Sequence, residues 1–193
     1  MRLFLAVEAD ATVHRAVESV VAEVRAAFDG GDPDTAREVK WVNPRFAHLT
    51  VHFLGDVADH VLPPLEQALK EPLALHPFTL EFGGVGAFPR GSGPVRVLWL
   101  GCTRGTADMV ELHRLLGLRL LGLPITLEAR PYSPHLTLGR FRSPGSSALR
   151  PLLASVAAKG VGTCPVSAVT LFRSQLSAAG PTYSVLSRTV LAS

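Results

Sequence analysis

The stretch "AHLTVHFLG", residues 47–55, carries His-Leu-Thr-Val, and "PHLTLGRF", residues 134–141, carries His-Leu-Thr-Leu. His135 lies 87 residues after His48, and the same offset relates Pro44 to Pro131, Pro64 to Pro151, and Gly93-Pro94 to Gly180-Pro181. A shared offset across several landmarks marks an internal duplication. Both stretches are rich in β-branched and aliphatic residues bounded by Pro or Gly, which predicts strands. Side chains on a strand alternate faces, so His48 and Thr50 share one face while Leu49 and Val51 share the other. His135 and Thr137 stand in the same relation to Leu136 and Leu138.

On either side of these motifs the pattern is regular: "RLFLAV" (2–7) predicts a strand and 12–28 a helix, ahead of the turn-rich "DGGDPD" at 29–34. Strands follow at 38–42 and 46–54, then a helix at 58–70 and a strand at 77–84. The second half repeats this βαββαβ order, with strands at 95–101, 125–129, 135–141 and 165–174 and helices at 105–119 and 147–158. A last strand is expected at 182–191. The predicted fold is α+β: two pseudo-twofold-related lobes, each a small antiparallel sheet with helices outside, facing a central cleft that carries both HxT motifs. Residues 1–193 then form a single bilobal domain with approximate halves 1–93 and 94–193. Strand 95–101 matches both 2–7 and 182–191 in pattern, which leaves its lobe open.

At 193 residues and 47% hydrophobic content the chain can bury a substantial core. The apolar run near the start stops at Glu8, too short for a signal sequence. The leucine-rich 112–130 stretch is broken by Arg114, Arg119 and Arg130, so no membrane span is expected and the reading is a cytoplasmic protein acting as a monomer. Cys102 and Cys164 lack metal-site or disulfide spacing. Charge is uneven: residues 1–128 hold all 16 acids and 12 bases, whereas 129–193 hold 7 bases and no acid. Such a field favours phosphates and nucleic acid. A preference for Arg over Lys, 16 to 3, accounts for the same bias without any ligand.

If the two halves face each other, two imidazoles and two hydroxyls surround one small ligand. That set suits phosphodiester chemistry, one histidine taking a proton from water and the other giving one to the leaving oxygen. Imidazole titrates near pH ~6.5, so both protonation states are within reach around neutrality. A metal site through His48 and His52 is the rival. Four strand residues span ~13 Å, too far for two ligands of one ion, and no HExxH glutamate is present. A metal-free site is expected, with His52 at its lip or on the surface.

The paired HxT motifs, with "RLFLAV", "WVNPRFAHLTVHFLGDV", "PHLTLGR" and "SQLSAAGPTYSVL", resemble the RNA 2′,3′-cyclic phosphodiesterases once called 2′-5′ RNA ligases, within the two-histidine phosphoesterase superfamily. The resemblance implies a bilobal fold and cofactor-free hydrolysis of a 2′,3′-cyclic phosphate, on RNA ends or nucleotides, to a 2′-phosphate, with 2′-5′ ligation as the reverse. It assigns His48 as proton donor to the leaving 3′ oxygen, His135 as proton acceptor from water, and Thr50 and Thr137 as phosphate ligands. A near-symmetric site can also run with the histidine roles exchanged. Arg140 ends the "HLTLGR" run and can supply charge to the phosphate, but strand parity turns it away from His135 unless Gly139 permits a bulge. Phe46 shares the parity of His48 and can stack on a base or pack in the core. Tyr132 and Tyr183 are weaker candidates of that kind.

The competing readings are a cyclic phosphodiesterase for small nucleotides or ADP-ribose cyclic phosphate, and a non-catalytic module that grips RNA ends. If the basic final third meets RNA, affinity for an oligonucleotide should fall with salt at a slope of about −0.7 per phosphate neutralised. A flat affinity across a salt series would show that the basic bias is compositional.

Overall fold

A computed structural model of the chain describes residues 1–31, 35, 37–156, 160–177 and 180–192. The fold is α+β. β1 (Arg2–Glu8) leads into α1 (Ala11–Gly31), then β2 (Val39–Trp41), a 3-10 turn at Pro44–Phe46 and β3 (His48–Asp56). A 3-10 turn at Asp59–Val61 opens α2 (Leu62–Leu69), followed by β4 (Leu73–Ala74), β5 (Phe78–Phe88), β6 (Val95–Arg104) and α3 (Thr106–Arg119). The chain continues through β7 (His135–Gly145), α4 (Leu149–Ser155), β8 (Gly162–Val166), β9 (Ala168–Ser177) and β10 (Gly180–Ala192). No helix among the described residues is long and apolar enough to cross a membrane.

α1 begins where Asp10 Oδ1 accepts from the amides of Thr12 and Val13, both at 2.8 Å, which caps two otherwise unpaired N–H groups. Its buried residues Val13, Val17, Val20, Val24 and Phe28 form one helical stripe on the sheet. The helix runs through Gly31, past the start of the expected 29–34 turn; residues 32–34 of that turn lie outside the described residues. β1 is buried from Leu3 to Val7 because it lies between two strands and is covered on both faces.

Among the described residues the strands join in the order β4-β10-β9-β1-β3-β7-β6-β5-β8, with β2 also on β7. All pairs are antiparallel except β4 with β10. The expected halves 1–93 and 94–193 are not the halves of this sheet. β5, the last long strand of the first half, sits beside β6 and β8, while β9 from the second half sits beside β1. The first half thus gives β2 and β5 to the side of β7, and the second gives β9 and β10 to the side of β1. This places β6, the unassigned strand at 95–101, between β5 and β7.

Two further expectations change. Residues 165–174 are not one strand: Val166 pairs with Phe78 and Ala168 with Val190, so the chain passes between different neighbours at Ser167. Residues 125–129 are not a strand either. They alternate in burial, with Ile125 and Leu127 packed on the core, but the Tyr132 hydroxyl donates to the Thr50 carbonyl at 3.0 Å, satisfying an acceptor that a neighbouring strand would otherwise take. The 147–158 helix is shorter, ending at Ser155, and residues 157–159 lie outside the described residues.

Both HxT strands break their alternation at the same point. In β3 the ladder to β1 skips Val51, and Val51 and His52 are both buried; in β7 the ladder to β6 skips Leu138, and Leu138 and Gly139 are both buried. These are β-bulges. The bulge in β3 turns His52 inward, 5% exposed, so it is neither a lip nor a surface residue. Its Nε2–H donates to the His113 carbonyl at 2.8 Å, its ring stacks on His113 at 4.0 Å, and His113 stacks on Tyr132 at 4.4 Å.

Burial and the neighbouring His52 hold the His113 imidazole down at about 4, and burial lowers His52 as well. A folded value below the unfolded value of about 6.5 means that the unfolded chain takes up the proton first as pH falls. Stability from this stack is therefore full above about pH 6.5 and is lost as pH falls toward about 4. Urea unfolding at pH 7.5 and 5.0 should show that loss, and His113→Phe, which keeps the stack and removes one titrating group, should make it shallower. Identical pH dependence in both proteins would contradict the assignment.

Candidate active site

β3 and β7 meet through one registered pair, Leu49 opposite Leu136, both 0% exposed. Residues directly opposite in an antiparallel pair point to the same face. The neighbours of these leucines therefore all point to the other face, with His48 set toward Thr137 and Thr50 toward His135. His48, Thr50, His135 and Thr137 are each half-buried, whereas Val51 and Leu138 are buried. The duplicated motif thus forms one cluster of four polar side chains.

The two histidines are oriented alike. His48 Nδ1 lies 2.8 Å from the Phe46 carbonyl and His135 Nδ1 lies 2.7 Å from the Ser133 carbonyl. A carbonyl only accepts, so Nδ1–H donates in both, and Nε2 is the nitrogen left for a ligand. The Phe46 bond comes from the 3-10 turn, where Asn43 Oδ1 accepts from the Arg45 amide at 3.1 Å and fixes the approach to β3. The rings are also packed: His48 stacks on Phe4 at 4.9 Å with the Tyr183 edge at 5.3 Å, and His135 meets Phe88 edge-on at 4.9 Å.

Burial is the main cause that pushes both imidazoles below their ordinary value, and the carbonyl bonds oppose it. Positive neighbours add to the depression: Arg140 and His135 act on His48, and Arg140 and Arg90 act on His135. The ligand-free site therefore holds neutral imidazoles around neutral pH. A bound anion reverses the balance by favouring the protonated form.

Arg140 reaches the site because of the bulge. The pair Leu138-Gly139 uses two inward positions, so Arg140 returns to the face of His135 and Thr137, and its charge is felt at His48, His135 and Tyr183. Gly139 is needed there, since a Cβ would come within 2.5 Å of Val39 on β2. Phe46 lies in the 3-10 turn, so strand parity does not place it. It is 42% exposed, meets Tyr183 edge-on at 5.8 Å, and with Phe4, His48, Phe172 and Tyr183 lines a cavity of about 160 Å³. Tyr132 lies behind the site, bound to the Thr50 carbonyl.

Three contributors were not singled out from sequence: Phe4 and Phe172, stacked at 5.1 Å beneath His48, and Arg90 beside His135. Phe4 is one of a buried run in β1 and reads as core. The repeat offset flags none of the three, since it relates Phe4 to Gly91, Phe172 to Val85 and Arg90 to Leu3. Among the described residues no three His, Cys, Asp or Glu side chains come together as a metal-binding group. Glu8, at the edge of the cavity, is held by Arg188 at 2.9 Å and Thr170 at 2.5 Å.

The chain is 32% identical over 185 residues, covering 95% of each, to the RNA 2′,3′-cyclic phosphodiesterase of Methanothermobacter thermautotrophicus. Its structure is similar to that of TT0787 of Thermus thermophilus, with a TM-score of 0.77, 29% identity and coverage of 99% of this chain and 98% of that one. It shares its fold with E. coli LigT, solved with 3′-AMP, at a TM-score of 0.69 and 23% identity over 100% and 98% of the two chains. Residues 8–177 match the 2′-5′ RNA ligase superfamily, and with the paired HxT strands in place the chain belongs to that family.

Proposed function

We propose that the chain hydrolyses the 2′,3′-cyclic phosphate of RNA ends to a 2′-phosphate by metal-free acid–base catalysis between His48 and His135. The observation that carries this reading is the matched pair of imidazoles, each held through Nδ1–H by a backbone carbonyl, on one face with two threonines. The relative from Methanothermobacter thermautotrophicus carries the corresponding name.

In this reading His135 Nε2 takes a proton from water as the water oxygen bonds to phosphorus. The P–O3′ bond breaks, and the 3′ oxygen leaves with the proton from His48 Nε2–H. One proton moves from His48 to His135 per turnover, and solvent resets the pair. Thr50 and Thr137 hold the non-bridging oxygens through their hydroxyls, and Arg140 balances the charge that builds on them. Arg90 supports this division of roles, because its charge is among those acting on His135, where it favours the neutral base. The negative cyclic phosphate supplies what the acid needs, raising His48 against its burial. Phe46 and Tyr183, at the rim of the cavity beside His48, offer stacking surfaces for the terminal base. Attack on the cyclic phosphate by a 5′ hydroxyl in place of water gives a 2′-5′ linkage, which runs the same site in the direction of ligation.

Residues 1–193 act as one unit, since each sequence half contributes one HxT strand, and the site needs no second copy. Free Cys102 and Cys164 fit a reducing compartment, and we place the enzyme in the cytoplasm.

With an oligoribonucleotide 2′,3′-cyclic phosphate in excess EDTA, the protein should yield a 2′-phosphate, identified by phosphorus NMR. His48→Ala and His135→Ala should each lower the rate by about 10²-fold or more. The double substitution should cost much less than the product of the singles, because the pair acts together. A 3′-phosphate product, activity only after divalent metal is restored, or binding without turnover would each contradict the mechanism.

A further inference from the structure

We infer that a second cavity, of about 270 Å³ and bounded by Gly86, Ala87, Arg90, Trp99 and Arg150, is a subsite for another phosphate of the substrate: the one on the 5′ oxygen of the nucleoside that bears the cyclic phosphate. This inference rests on the reading of His48 and His135 as a cyclic phosphodiesterase site.

The cavity lies at the open edge of β5. β8 pairs only with Phe78–Phe82, so among the described residues the backbone around Gly86 and Ala87 has no strand neighbour on that side, and α4 closes the space with Arg150. Two residues join it to the site. Trp99 pairs with Thr137 across β6 and β7, and its indole lies over Gly86, where a Cβ would come within 2.2 Å of the ring. Arg90 donates to Ser133 Oγ at 2.9 Å, and the Ser133 carbonyl is the group that orients His135. From Thr137 to Gly86 is two strand spacings, on the order of 10 Å, a separation the arginine side chains shorten.

The lining is built for an anion. It holds two guanidinium groups and no carboxylate. Arg150 is pinned by the carbonyls of Pro89 at 2.7 Å and Gly93 at 2.9 Å, and neither it nor Arg90 has a carboxylate partner among the described residues. Arg90 lies 5.7 Å from the Trp99 ring and 5.9 Å from that of Phe88, which holds its guanidinium between the cavity and His135. Trp99 Nε1–H and Arg150 Nε–H are buried with no acceptor among the described residues. Both atoms are sealed from solvent, so an anion in the cavity would be met by the two guanidinium groups, for which a phosphate supplies several acceptor oxygens at once.

The test compares kcat/KM for four substrates: a nucleoside 2′,3′-cyclic phosphate, the same compound with a 5′-phosphate, a dinucleotide ending in the cyclic phosphate, and that dinucleotide with an uncharged methylphosphonate linkage. The two substrates with an anionic 5′ phosphate should each gain roughly tenfold over the unphosphorylated nucleoside, the scale of one charge-assisted contact. The methylphosphonate should lose the gain. Arg90→Gln should reduce the ratio between charged and uncharged substrates to near unity, whatever it does to the absolute rate through His135. Equal kcat/KM across the set, or a gain that survives in the methylphosphonate, would overturn the subsite. Failure to turn over any of the four counts against the catalytic reading instead. Calorimetry with a nucleoside 2′-phosphate and the matching 2′,5′-bisphosphate then decides the subsite: roughly tenfold tighter binding of the bisphosphate supports it, and equal affinity overturns it.

Discussion

The site depends on one backbone contact, the register that sets Leu49 of β3 opposite Leu136 of β7. That pair is where the two wings of the sheet join, and it fixes which face each HxT motif presents. A slip of one residue would turn the imidazoles and hydroxyls of one strand into the core and its aliphatics into solvent. The four buried aliphatics, Leu49, Val51, Leu136 and Leu138, are worth about 1.5–3 kcal/mol each. Their sum is comparable with the whole stability of a small domain, about 5–15 kcal/mol. The hydrophobic face therefore specifies the polar one.

Around that contact the molecule keeps its charges positive and its histidines neutral. Burial of His48 and His135, the Arg140 guanidinium returned to their face by a bulge, and Arg90 beside His135 all disfavour imidazolium in the ligand-free protein. In the proposed reaction a phosphate entering this field would meet the Arg140 guanidinium and the two threonine hydroxyls, and would raise the proton affinity of the histidine proposed as acid. The same two carbonyl bonds that orient the rings keep their Nδ1 atoms occupied, so proton traffic is confined to Nε2. On the proposed reading, substrate binding and protonation of the acid are coupled electrostatically.

Much of this was legible in the chain. The alternation His-aliphatic-Thr-aliphatic, written twice at one offset, was enough to place both strands, their inward leucines and the four polar residues. The helical stripe of α1 was equally plain from spacing. What local pattern does not encode is which strand pairs with which. β2 and β5 join the side of β7 while β9 and β10 join the side of β1, and nothing in their own residues distinguishes one neighbour from another. The run at 165–174 read as one strand because both of its parts are extended, although they serve different neighbours. The bulges were hidden for a related reason: they displace alternation by one residue, which brought Arg140 to the site and buried His52. Gly139 was the one visible hint of this, while His52, a polar residue at the matching place, pointed the other way.

The carbonyl bonds fix both histidines as Nδ1–H tautomers, which leaves Nε2 for the proton exchange proposed with the substrate. Long-range proton–nitrogen correlation spectra of imidazole-labelled protein at pH 8 report the tautomer of each ring directly, and His48→Gln and His135→Gln assign the signals. Both should show a protonated Nδ1 and an unprotonated Nε2, and adding a nucleoside 2′-phosphate at lower pH should raise the titration midpoint of His48. An Nε2–H tautomer at either ring, or titration of His48 that ignores the phosphate, would contradict the account.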